Sequence, residues 1–205
     1  MEGFTSRQEE IIKESLKLIS TGGIQELTFR NLSKQMGISE PAFYRHFPGK
    51  TEILLGILEY FEQIRDGMAA EVRTLRGDGL RKIEQMIGRH LEMFASNPSL
   101  LTILFPDELP QADTRVTDRA LRIMAGTEAS LRDIIEEGSR SGEIRSDIPA
   151  DELCLLILGA LRLLVTRWRL DRGSVDLKTE GQRLVAACLA LTRPAAGGAA
   201  KGEKA

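Results

Sequence analysis

Residues 38–50 read ISEPAFYRHFPGK and gather a carboxylate, a phenol, a guanidinium, an imidazole and an amine: Glu40, Tyr44, Arg45, His46 and Lys50. The spacing predicts a short helix opening at Ser39, a good N-cap, with Glu40 and Pro41 in the first turn, where neither costs helix stability. Phe43 and Phe47 lie four apart and share a face with Ile38 nearby, so that face is expected to be buried. Glu40, Pro41, Tyr44 and Arg45 are left on the other sides, with His46 at the end and Lys50 just beyond. Such a helix, with an aromatic floor and an exposed polar surface, is built to be laid against something. Its chemistry is that of contact rather than turnover.

Elsewhere the residues that usually carry catalysis are badly spaced for it. Gly22-Gly23, Gly77 and Gly79 sit at expected helix ends without the lysine and hydroxyl pattern of a phosphate-cradling loop. His46 and His90 belong to different segments, with neither HxxxH nor Cys–His spacing, so no metal site, no cofactor and no enzymatic activity is expected. Glu136 and Glu137 are helix neighbours that face different directions. Asp107 and Glu108, between Pro106 and Pro110, read as a solvated loop, with cation ligation as the alternative. Cys154 and Cys188 both fall in apolar helical stretches and are expected to be buried, reduced thiols rather than a disulfide.

The elements that must position the polar helix lie just upstream. TFRNLSKQM is expected to be a helix capped by Thr28, with Phe29, Leu32 and Met36 on one face. Gly37 stands where a left-handed C-terminal residue is needed, and only Ile38 separates it from Ser39. Helix, tight glycine turn, helix is the helix-turn-helix layout, whose second helix enters the major groove of DNA. Ahead of both, SRQEEIIKESLKLISTGG predicts a helix with a Ser6–Glu9 capping box, a stripe of Ile12, Leu16 and Ile19, and a stop at Gly22-Gly23. Charge alone does not advertise a nucleic-acid partner, because the 205 residues carry a formal net charge of −2. The cations must act locally, with Arg30, Lys34, Arg45 and Lys50 on one side and Glu9, Glu10 and Glu14 elsewhere.

The rest of the chain reads as all-α, with no strand-period segment. A long helix runs from Lys50 toward Gly77, its pattern interrupted at Gly67. Leu80, Ile83, Ile87, Leu91 and Phe94 mark the next, capped by Asp78 and stopped before Pro98. The short apolar piece SLLTILF ends at Pro106, and further helices follow over about Asp113–Ser141, Pro149–Arg169 and Leu177–Thr192. The expected domains are a head at 1–50, a helical domain at 51–192 and a disordered tail at 193–205. The polar N-terminus carries no signal pattern. The longest apolar stretch, Leu153–Val165, is broken by Gly159 and Arg162 and is too short to span a bilayer, so a cytoplasmic protein without membrane contact is expected.

Two groups in the helical domain admit a plain and a functional reading. Met86, Phe94, Phe105, Met124 and Trp168 either fill the core or line an apolar pocket. His90 among them is either satisfied internally or turned toward a ligand. Leu156, Ala160, Leu161, Leu164, Leu184, Cys188 and Leu191 belong to apolar stripes wider than one neighbour needs, and the helix pair is either buried in its own domain or an interface between two copies.

The run Ser6–Leu55 resembles the DNA-binding domain of TetR-family transcriptional regulators. The matching features are the helix-ending Thr-Gly-Gly, Leu27-Thr28 at the entry to the second helix, Gly37-Ile38-Ser39, Tyr44-Arg45-His46-Phe47 and Gly49-Lys50, in the family's order and spacing. About a quarter of the chain is covered directly; the remainder fits in length and helical organisation. The resemblance implies a homodimeric regulator, usually a repressor, on an inverted-repeat operator in double-stranded DNA, with the last two helices of each copy forming a four-helix bundle. It also implies release by a small apolar or amphipathic effector, with control by a protein partner as the alternative. By motif position Tyr44 and Lys50 match phosphate contacts and Thr28 a backbone contact, while Pro41, Ala42, Arg45 and Arg30 are base-reading candidates. Glu40 departs from the neutral residue often found there: it either accepts from cytosine or penalises unwanted sequences. His46 is either a backbone contact or a packing residue.

Overall fold

The computed structural model describes residues 3–75, 78–105, 113–171 and 175–194. Gly77, the Pro106–Pro110 loop with Asp107 and Glu108, Gly173 and residues 195–205 of the expected tail lie outside the described residues. Within them the chain forms nine α-helices and no strand: α1 Ser6–Gly22, α2 Phe29–Met36, α3 Glu40–Phe43, α4 Lys50–Thr74, α5 Gly79–Ser96, α6 Leu100–Leu104, α7 Thr114–Ser141, α8 Ala150–Leu170 and α9 Leu177–Thr192. A single 3-10 turn, Ile24–Glu26, joins α1 to the loop before α2. None of the described helices is long and apolar enough to cross a membrane.

Local chemistry sets the ends of the first helices. The capping box of α1 is Thr5 with Gln8, not Ser6 with Glu9: the Gln8 amide donates to the Thr5 hydroxyl at 3.3 Å, and the Thr5 amide donates to Gln8 Oε1 at 3.0 Å. The Glu9 amide already donates to the Thr5 carbonyl, which places Ser6 inside the first turn. At α2 the Thr28 hydroxyl accepts from the Asn31 amide at 3.1 Å, as its cap position requires. Gly37 ends α2 in the left-handed region at φ 67°, where a side chain is strained.

The third helix is shorter than Ser39–His46. Its α-helical span is Glu40–Phe43, and the Ser39 side chain makes no capping bond. The chain then tightens: the amides of His46 and Phe47 both donate to the Phe43 carbonyl, at 2.8 and 2.9 Å. Pro48 bars any extension past Phe47, because it disfavours helical backbone at the residue before it. Gly67, by contrast, interrupts nothing, since α4 is continuous through it.

The chain divides into two compact units, Met1–Gly67 with Phe94–Ala125 and Met68–Met93 with Gly126–Ala205. The first unit therefore extends beyond residue 50, and packing explains why. Ile53, Leu54, Ile57, Leu58 and Phe61 of α4 are all buried, as are Ile11, Ile12 and Leu32 of the head. Gly56 lets the head approach α4, since a Cβ there would lie 3.0 Å from the Phe47 ring and 3.5 Å from Ile12. In the same unit Arg115 and Arg119 of α7 tie to Glu52 and Glu62 of α4 at 3.2 and 2.5 Å.

In the second unit α8 packs on α9. The core stripe of α8 is Leu153, Cys154, Ile157, Leu161 and Val165. Arg145 closes the far end of α9: its amide donates to the Thr192 carbonyl at 2.9 Å and its guanidinium to the Leu191 carbonyl at 3.2 Å. Both cysteines are free and buried. Burial pushes the Cys154 thiol up to about 11 and raises that of Cys188 as well, so both stay protonated near neutral pH.

Candidate nucleic-acid interface

The floor of the head is aromatic, as the spacing of Phe43 and Phe47 predicts. Both are buried, and Ile38 is half-buried beside them. Phe29 of α2 stacks on Phe43 with ring centroids 5.7 Å apart and 14° between planes. It also meets Tyr44 edge-on at 4.6 Å and 84°. One ring thus joins floor to surface: Phe29 steadies Tyr44 while leaving that phenol outward, where it is 57% exposed.

Around Tyr44 the structure gathers an exposed polar surface. Ser39, Glu40, Pro41 and Arg45 are exposed, Ala42 and His46 half-buried. The His46 carbonyl accepts from Gln8 Nε2 at 3.2 Å, so α1 holds the end of this turn. From α2, Thr28 and Arg30 are exposed beside it, and Arg30 Nε stands 4.0 Å from a Glu40 carboxylate oxygen. The acids of α1 pair on their own helix, Glu10 with Arg7 at 2.6 Å and Glu14 with Lys17 at 2.5 Å. Glu14 also accepts from the Gln35 amide of α2, and its pKa is lowered, chiefly by the Lys17 hydrogen bond.

Lys50 makes a tie that the sequence does not reveal. Its amine donates to the Ile24 carbonyl at 2.6 Å, fastening the start of α4 to the turn after α1. Partial burial lowers its pKa from the ordinary lysine value. Two N–H groups of the ammonium remain for another acceptor. Asn31 is a further brace missed in the sequence, donating to the Glu26 carbonyl and carboxylate at 2.9 and 2.8 Å. An asparagine three residues after a cap was the available signal.

The candidate pocket residues are placed in both units. Met86 and His90 are buried on α5 in the second unit, linked through His90 Nδ1 and the Met86 carbonyl at 2.8 Å. With a carbonyl as partner, Nδ1 must carry the proton. Trp168 is half-buried on α8 in that unit. Phe94 is buried, and Phe105 and Met124 half-buried, in the first unit.

On the α8–α9 face the interface candidates differ in exposure within a single copy. Leu161 and Cys188 are each only 4% exposed inside a single copy and belong to its core. Ala160, Leu164, Leu184 and Leu191 are half-buried, and Leu156 is 50% exposed. The residues that face outward are Leu155 and Leu163, at 74% and 60% exposure, with Gly159 between them and Ala186, Ala187 and Ala190 on α9. A step of three or four from Leu156 through Gly159 to Leu163 was the signal for the outer stripe.

Comparison with known proteins fits this arrangement. Residues 11–57 match the family described as bacterial regulatory proteins, tetR family, and residues 57–189 match the YsiA-like protein, C-terminal region. The nucleoid occlusion factor SlmA of Vibrio campbellii is 31% identical over 168 residues, covering 80% of this chain and 84% of that protein. Its counterpart in Vibrio cholerae is 30% identical over 167 residues, with the same coverage of 80% and 84%. Among solved structures, a TetR-family regulator from Agrobacterium tumefaciens superposes with a TM-score of 0.79 at 19% identity, covering 92% of this chain and 98% of that one. FadR from Bacillus subtilis, in complex with stearoyl-CoA, gives 0.76 at 21% identity, covering 92% and 100%. With both its head and its helical domain matched, the chain belongs to the TetR family of bacterial regulatory proteins, a family of DNA-binding regulators.

Proposed function

We propose that this regulator acts as a homodimeric repressor whose two heads occupy an inverted-repeat operator and leave it when a small apolar or amphipathic effector binds the helical domain. The observation that carries the reading is the Tyr44–Arg45 surface, exposed above the buried Phe43 and Phe47. Two-fold symmetry sets the half-sites about 34–36 Å apart, or at a multiple of that spacing. Arg45, Pro41 and Ala42 meet base edges, Arg30 joins them from α2, and Tyr44, Thr28 and Lys50 meet phosphates. An effector that favours the form with misplaced heads shifts the population away from DNA, with α4 as the lever.

Enrichment of random DNA on the purified protein tests the core of this proposal, which fails if no inverted repeat emerges. On the enriched site Arg45→Ala is expected to cost about 1–3 kcal/mol and to relax preference at one base pair. Unchanged discrimination removes Arg45 from base reading. Lys50→Ala is expected to weaken binding to all sequences alike and to reduce the salt slope by about 0.9. An unaltered slope leaves Lys50 with its tie to Ile24 alone.

A second reading is favoured by the relatives named nucleoid occlusion factor, a name that denotes no metabolite sensor. Under it a protein partner sets DNA occupancy. Stearoyl-CoA, held by the Bacillus subtilis protein of the same fold, is a suitable first probe. Release of operator by that probe supports the effector reading. Release by a cell-extract protein and by no acyl thioester supports the other.

A further inference from the structure

We infer that Glu40 is a positioning residue for Arg30, aiming its guanidinium at a guanine, and is not itself a reader of bases; the inference rests on the DNA-binding reading above. Arg30 lies in the first turn of α2 and Glu40 opens α3, and their side chains approach each other. Arg30 Nε is 4.0 Å from Glu40 Oε1, with side chains 78% and 47% exposed. An exposed pair of this kind does little for folding. Its consequence is orientation.

A guanidinium presents its donors in one plane. Nε is the guanidinium nitrogen set against Glu40, which leaves the two terminal nitrogens for another acceptor. That pair matches the paired O6 and N7 acceptors of guanine in the major groove. A long exposed arginine otherwise divides its time among many rotamers, and a neighbouring carboxylate narrows that set before DNA arrives. The pairing also accounts for an acid on a surface proposed to meet DNA. Beside Arg30 the pair is neutral. On a base other than guanine, Arg30 loses its paired acceptors, so the wrong sequence is disfavoured.

The two roles for Glu40 predict different base pairs. A reader of cytosine governs its own position, whereas a positioning residue governs the position that Arg30 reads. Enriched DNA is compared for the full-length wild type, Arg30→Ala, Glu40→Ala and the double variant, with the dimeric state of each checked by sedimentation. Arg30→Ala is expected to reduce discrimination at one base pair of the half-site about 5- to 150-fold. Glu40→Ala is expected to reduce it about two- to fivefold at that same pair, and the double variant to match Arg30→Ala. Relaxation at a different base pair in Glu40→Ala, or an unchanged profile, overturns the inference while leaving the regulator reading intact. A wild type that enriches no sequence overturns both.

Discussion

Leu156→Glu together with Leu163→Glu is expected to give a folded monomer that binds an inverted repeat about a hundred- to ten-thousand-fold more weakly than the parent. Both leucines are at least half exposed in a single copy, so acids there meet water and leave the core of the unit intact. In the proposed dimer two heads share one DNA molecule, and separating them makes the second contact no longer intramolecular. Sedimentation reports the monomer, circular dichroism the retained helix, and fluorescence anisotropy on full and half sites the lost coupling. A half site is expected to bind parent and variant alike. An intact dimer rules out this face as the interface. Leu161→Glu is the instructive contrast: it places a charge on the buried stripe of α8, between Ile157 and Val165, and is expected to unfold the unit itself.

That contrast shows where sequence reading stops. LCLLILGALRLLV is leucine-rich around its whole circumference, so period alone finds two stripes on α8 and cannot say which one turns inward. Packing within the unit decides it, and the core takes the Ile157–Leu161 side. The head was far more legible because its signals are local. Thr28, Gly37 and the four-residue step from Phe43 to Phe47 each act within a turn of themselves, and each stands where the pattern puts it. Even so, Thr5 and Ser6 are both good caps, with Gln8 and Glu9 both suited to close the box. Only the carbonyl that takes the first helical bond distinguishes them. The tie from Lys50 to Ile24, the grip of Gln8 on His46 and the closure of α9 by Arg145 link residues far apart in the chain. No spacing rule reaches them.

Phe43→Ala is expected to abolish operator binding while leaving the proposed dimer in place. The ring is fully buried, and removing a buried phenylalanine costs about 3–5 kcal/mol. The cost falls where little else holds the chain. The turn that carries Tyr44, Arg45 and His46 hangs from the Phe43 carbonyl, and Phe29, stacked on Phe43, supports Tyr44. Without the ring, Phe29 loses its stacking partner and the Glu40–Phe47 segment is left with Phe47 alone in the floor. Amide exchange in 28–47 is then expected to rise toward that of an opened segment, while α8 and α9 keep their protection. Phe43→Leu, which retains most of the apolar volume, is expected to keep much of the affinity. The paired result separates a positioning floor from a general loss of folding. Operator affinity unchanged in Phe43→Ala removes the aromatic floor from the account of how this surface meets DNA.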